Sequence, residues 1–250
     1  MGKIVRRMVA LFLTIGLCLS LLWAQKKHAA LVCQEIAIVI KDHAGQSLIR
    51  SKEIIDLLQS THTISLQKTL LKNIDAYAIQ QQLKSHPLVK KVLVYKTWRG
   101  TLTIWLATKC LIARIVRPLS NPNDIPCYLD EQGGLIAAKG LPLLRLLVVT
   151  DDHIVAAHKR LYDHDLLVLL QYIYQDPFWR GQITSLQVDA TGKIILGTQV
   201  GGHQVIFGKA ARIEEKFEKL WLFYSQVIPY KGWKAYRCVN VAFEGQLICT

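Results

Sequence analysis

From Met8 to Ala24 the chain reads MVALFLTIGLCLSLLWA, without a charged residue and with only Thr14, Gly16 and Ser20 interrupting the apolar run. At about 1.5 Å per residue, a run of about 17 reaches the lower limit for crossing a hydrocarbon core, and Trp23 places an aromatic ring where head groups begin. The pattern predicts a membrane-spanning helix over 8–24. A cleaved signal peptide is the alternative, because Lys3, Arg6 and Arg7 form a basic lead-in. Cleavage after Ala24 needs a small residue two positions earlier, and the sequence has Leu22 there. Lys3, Arg6 and Arg7 outnumber Lys26 and Lys27, and no later apolar run is long enough for lipid. This predicts residues 1–7 as a cytoplasmic tail and the bulk of the chain outside the cytoplasm, as a single-pass inner-membrane protein.

After a basic linker over 25–34, the pattern changes to short alternating and amphipathic segments. Ile36 to Ile40 reads as a strand. Ser51 is the expected N-cap of a short helix with Ile54, Ile55, Leu57 and Leu58 inward, and Asp75 that of a second helix with Ala78, Ile79 and Leu83 inward, closed by Pro87. Leu88 to Ala107 alternates on either side of Trp98, Arg99 and Gly100, as a hairpin does. Strand, helix, helix, strand, strand within 35–107 is one small α+β domain.

The remainder, 108–250, reads as a mostly antiparallel β domain with packed helices. Leu166, Leu169, Leu170 and Ile173 fall on one helix face. Ile183 to Val188 and Lys193 to Thr198 form a hairpin about Asp189 to Gly192, and Val205 to Phe207 adds a strand. Ile213, Phe217, Leu220, Trp221 and Tyr224 line a longer helix whose other face carries Glu214, Glu215, Lys216, Glu218 and Lys219, ended by Pro229 and Gly232. Tyr236 to Phe243 is expected as a last strand at a sheet edge, continuing through Gly245 to Ile248. Val239, Val241 and Phe243 share one of its faces.

Charge changes this picture little. The net charge is +13; setting aside the five basic residues flanking the apolar run leaves 26 basic against 18 acidic, or +8. The lysines and arginines are dispersed, and neither zinc-finger spacing nor an RNP-like aromatic motif accompanies them, which argues against nucleic acid as a partner. Of six cysteines, Cys18 lies in the apolar run; Cys33, Cys110, Cys127, Cys238 and Cys249 allow at most two disulfides, with the pairing open.

Candidate chemistry is sparse. Asp151 to Asp165 gathers His153, His158 and His164, yet on a helix successive members lie about 140° and about 120° apart, pointing three ways. No metal or other cofactor is expected. Gly208-Lys209 before a helix fails as a phosphate loop, since His203 and Ala210 occupy the required glycine and hydroxyl positions. No GxSxG or HExxH occurs, and no small-molecule substrate is expected. A membrane-anchored interaction module is therefore read over its alternative, an anchored periplasmic enzyme acting on cell-wall material.

The order of elements in 35–107, closing on HPLVKKVLVYKTWRGTLTIWL, resembles the POTRA domain. Its place directly after one N-terminal anchor resembles the FtsQ/DivIB family of bacterial cell-division proteins, in the layout of Bacteroidetes members. The family's V-E-x-x-P-x-A appears as ATKCLIA, keeping Ala113 but with Thr108 and Leu111 for the acid and the proline. Its Y-x-D-x-x-G is present as Tyr128, Asp130 and Gly133, followed by DPFW at Asp176 to Trp179, ILGTQVGGHQVIFG, EEKFEKLWLFY and GWKAYRCVNVAFEGQLI. The resemblance implies a non-catalytic division-site scaffold that helps control septal wall synthesis. Its implied partners are proteins of the FtsB and FtsL kind and the septal wall synthase complex. The implied partner site is Tyr236, Arg237, Val239, Val241, Phe243 and Leu247 on the last strand. The family's D-L-R-Y falls on Asn240, Val241, Ala242 and Phe243, so Arg237 is expected to supply the charged contact. The hairpin leaves Lys90, Tyr95, Lys96 and Arg99 as a second, membrane-proximal docking surface.

Overall fold

The computed structural model describes residues 2, 8, 11–20, 31–43, 47–61, 69–116, 126–138, 141, 143–151, 161 and 163–250. Residues 11–20 are helical, with Leu11, Phe12, Leu13, Leu17 and Leu19 all exposed. No described helix is long and apolar enough to cross a membrane, and the expected span over 8–24 falls partly outside the described residues. The chain divides into two compact units, Met1–Thr108 and Lys109–Thr250.

The first unit runs β1 (Glu35–Lys41), α1 (Ser51–Thr61), a 3-10 turn (Leu71–Asn73), α2 (Ala76–Lys84), β2 (Val89–Lys96) and β3 (Thr101–Thr108). The sheet order is β1-β3-β2, with β1 parallel and β2 antiparallel to β3. β3 is central because Leu102, Ile104 and Leu106 alternate along it and are fully buried, as are Ile54 and Leu58 of α1 and Ile79 and Leu83 of α2. Each such burial contributes about 1.5–3 kcal/mol, enough to fix which face of each helix turns inward. The Asp75 carboxylate accepts from the Tyr77 and Ala78 N–H groups and caps α2.

Three expectations change here. Ser51 is already the first helical residue of α1; the capping contact is Glu53 Oε2 accepting from the Arg50 N–H at 3.4 Å. Ala78 is exposed, since α2 needs only the Ile79 and Leu83 stripe. Residues 31–34 are not a free linker. The Cys33 N–H donates to Thr69 O, the Gln34 N–H to Gly100 O, and Leu31 O accepts from Leu71 N–H, so this stretch is stitched into the unit.

The second unit contains a nine-stranded sheet of order β12-β11-β10-β9-β8-β7-β4-β5-β6. Its strands are β4 (Leu111–Val116), β5 (Cys127–Asp130), β6 (Leu135–Ala137), β7 (Leu147–Asp151), β8 (Ile183–Val188), β9 (Ile194–Thr198), β10 (Gln204–Gly208), β11 (Cys238–Asn240) and β12 (Ile248–Cys249). Five of the eight pairings are antiparallel and three parallel. Parallel neighbours need long crossovers, and this locates the helices. α3 (His164–Gln175) and α4 (Pro177–Gln182) connect β7 to β8; α5 (Ile213–Leu222) and α6 (Ile228–Lys231) connect β10 to β11. Leu166, Leu169, Leu170 and Ile173 of α3 join Trp179, Phe217 and Leu220 and the strand residues Leu186, Leu196 and Phe207 in one core.

The α5 helix departs from its expected form in ways that matter for the site. It does not stop at Pro229: a π-helical segment, Phe223–Val227, leads into α6, where Pro229 sits in the first turn and lacks only an N–H that needs no partner there. Gly232, at φ 82°, ends the run. Trp221 is exposed, whereas Lys216, expected on the solvated face, is buried at 3% exposure.

Candidate functional site at the C-terminal sheet edge

The last strand is shorter than the sequence pattern suggests, and it is not the edge. β11 spans only Cys238–Asn240 and lies between β10 and β12, so the sheet terminates on the two-residue strand Ile248–Cys249. The reason is local: Asn240 Oδ1 accepts from the Ala242 N–H at 2.9 Å, a side-chain turn that pulls the chain out of the ladder. Residues 243–245 then turn back, with Gly245 at φ 63°.

The expected partner residues separate accordingly. Val239 and Val241 are fully buried in the core, and Tyr236 and Leu247 pack partly against it. Arg237 is exposed, while its N–H donates to Thr250 O at 2.8 Å and its carbonyl accepts from the Gln204 N–H. Phe243 does not share the face of Val239 and Val241, because it lies in the turn, 52% exposed. Arg237, Phe243 and Ile248 are exposed at this end of the sheet, as are Glu244, Gln246 and Thr250.

Helix α5 and its N-cap residue Arg212 hold this segment through charged side chains, of which the sequence pattern leaves Glu215 and Lys219 on a solvated face. Lys219 Nζ donates to Phe243 O at 2.7 Å and to Val241 O at 3.3 Å, and pairs with Glu215 at 3.0 Å. Arg212, in left-handed backbone at φ 52°, reaches Glu244 at 3.0 Å and Glu215 at 3.5 Å. The Lys219 ammonium beside it holds the Glu215 carboxyl below the usual carboxylate range. Lys216 Nζ donates to Lys209 O at 2.7 Å and lies 4.6 Å from the Phe207 ring centre; burial pushes its ammonium below the usual lysine value. Carbonyl acceptors in the adjoining loops were the missing information, since no side-chain periodicity reports them.

A buried polar chain braces the π-helical segment that follows α5. His203 Nε2 and Tyr224 Oη are 2.7 Å apart, and Gln182 Nε2 donates to Tyr224 Oη and to Val200 O. His203 Nδ1 is buried and has no hydrogen-bond partner among the described residues, and burial lowers the imidazole pKa. At the opposite end of the sheet, Asp130 Oδ1 accepts from the Gln132 and Gly134 N–H groups and Oδ2 from Lys109 Nζ. Gly133 adopts φ 81°, and Tyr128 Oη accepts from the Leu144 N–H. The Y-x-D-x-x-G pattern is thus a turn that closes β5 onto β6.

The hairpin residues also divide. Lys90, Tyr95, Lys96 and Arg99 are all exposed, but the β2–β3 register places Tyr95 across from Thr103 and Lys96 across from Leu102, on opposite sheet faces. Arg99 lies in the turn. Among the described residues no group of three or more His, Cys, Asp or Glu is positioned to hold a metal ion. His153 and His158 lie outside the described residues, and His164 opens α3 behind its cap Asp163.

A small α+β unit is followed by a mixed sheet that ends on β12, with charged side chains at its backbone turns. A POTRA-like domain model matches 31–107, and a model described as FtsQ/DivIB, C-terminal related matches 112–250. The chain belongs to the FtsQ/DivIB family, the non-catalytic scaffolds of bacterial cell division. No curated protein matches it.

Proposed function

We propose that this chain is a membrane-anchored division scaffold. It holds its two units outside the cytoplasm and captures division proteins of the FtsB and FtsL kind, through which it helps control septal peptidoglycan synthesis. The reading includes the span over 8–24, supported by its charge-free composition and by the exposed apolar side chains of residues 11–20. The observation that carries partner capture is the terminal position of β12 in the sheet order. Cys238 and Thr250 exchange both backbone hydrogen bonds, so Val239 and Cys249 form the intervening non-bonded pair. The N–H and C=O of Cys249 therefore point away from β11, toward an incoming extended segment, with Phe243, Ile248 and Arg237 beside it. A photo-crosslinker replacing Ile248 in cells should capture a small coiled-coil division protein. Recovery of only wall-processing enzymes, or of no division protein, overturns the reading.

A further inference from the structure

The sheet of the first unit has a second apolar face that α1 and α2 do not cover. Register places Val39 of β1, Trp105 of β3 and Leu93 of β2 in one row, and Ala37, Thr103 and Tyr95 in the next. These positions alternate with Ile38, Ile104 and Val94, which turn toward the helices. A solvated sheet face normally carries polar side chains. Here Val39, Leu93 and Tyr95 are 49%, 44% and 52% exposed, and Trp105 is half-buried between them.

The charge on this face is one-sided. In the row beyond, Lys41 and Lys91 flank Ala107, and both lysines are exposed. Glu35, the acidic residue of the same face, lies at its far end opposite Thr101. Trp and Tyr rings beside lysines on a flat apolar surface match the chemistry of a bilayer interface, where rings sit at the head groups and ammonium groups meet lipid phosphates.

The chain before β1 selects between possible occupants. Residues 1–34 carry five basic and no acidic side chains, and residues 11–20 form an exposed apolar helix. Fourteen residues lie between Ser20 and Glu35, a reach of at most about 50 Å. We propose that the Val39, Leu93, Tyr95 and Trp105 face seats on an anionic bilayer surface, with Lys41 and Lys91 against the lipid phosphates. The proposal rests on the anchor reading for its proximity. An acidic amphipathic helix of another protein is the rival occupant.

The test uses the full chain with p-benzoylphenylalanine at position 93, reconstituted into nanodiscs of phosphatidylglycerol or of phosphatidylcholine. Co-elution with the disc reports the anchor; a lipid adduct at position 93 reports the face. The expected result is co-elution in both lipids, with adduct only in phosphatidylglycerol. Adduct is lost in the Lys41→Gln, Lys91→Gln double variant, whose docking equilibrium falls about thirty-fold for two lysines removed from an anionic surface. Co-elution without adduct in phosphatidylglycerol overturns the proposal, as does an adduct to protein instead of lipid. If the chain does not co-elute, the anchor reading fails. Flotation with phosphatidylglycerol vesicles then decides the face alone: flotation abolished by the double variant supports it, and absence of flotation overturns it.

Discussion

Lys219 Nζ on α5 donates to the carbonyl oxygen of Phe243 at 2.7 Å, tying the helix to the turn that precedes the sheet's terminal strand. The same ammonium reaches Val241 O and Glu215, so one side chain satisfies two carbonyls that leave the ladder. Lys219→Ala should destabilise the second unit by about 1–3 kcal/mol, the cost of leaving such acceptors without a charged donor. Amide exchange confined to 241–250 should accelerate while α3 and the central strands stay protected. Uniform loss of protection would show that Lys219 supports the whole core instead.

His203 should make the protein acid-sensitive. Burial lowers its pKa below the usual 6.5, so as pH falls the unfolded chain takes up the proton first and unfolding is favoured. The stabilisation is fully present above about pH 6.5 and is lost as pH falls through the folded value. His86, in the first unit, shifts the same way, also chiefly through burial. Thermal melts of wild type and His203→Gln between pH 7.5 and pH 5 isolate the His203 part, because His86 contributes equally to both. The two melting curves should converge at the acid end; a constant separation would mean that the folded and unfolded chains take up the His203 proton at the same pH, so that burial does not shift it.

The elements legible in the sequence were those whose burial is periodic. The α3 face Leu166, Leu169, Leu170 and Ile173 and the β8–β9 hairpin stand where alternation places them. Lys216 and Lys219 were not legible, because their place follows from backbone carbonyls, that of residue 209 in the loop just before the helix and those of 241 and 243 far along the chain. The edge was misplaced for a related reason. Alternation from Tyr236 to Phe243 is compatible with one long strand, but the Asn240 side chain competes for the Ala242 N–H and ends the strand after three residues.

Register constrains the thiols of this edge. Cys249 pairs with Val239 and packs on the core, so Cys238, one residue away on β11, turns to the other face. A Cys238–Cys249 disulfide would require a one-residue slip that moves Val239 out of the core. Oxidised protein digested without reduction should yield no peptide linking these two residues. Finding that bridge would show that β11 and β12 pair in a different register.

The outward direction of the Cys249 backbone gives the sharpest test of the edge. Proline at position 249 removes an N–H that points away from β11, leaving the Cys238–Thr250 bonds to hold β12 in place. The proline ring is close in size to the cysteine side chain and can keep most of its contact with the core. Cys249→Pro should therefore abolish capture of the partner strand while moving the melting temperature by only about 1–3 °C, below the shift expected for losing a core contact in a unit of this size. Proline at Asn240 is the contrasting variant: β11 is flanked on both sides, so the substitution breaks an interior ladder and should unfold the sheet margin. Undiminished capture by Cys249→Pro at normal expression would show that the partner does not pair with this edge.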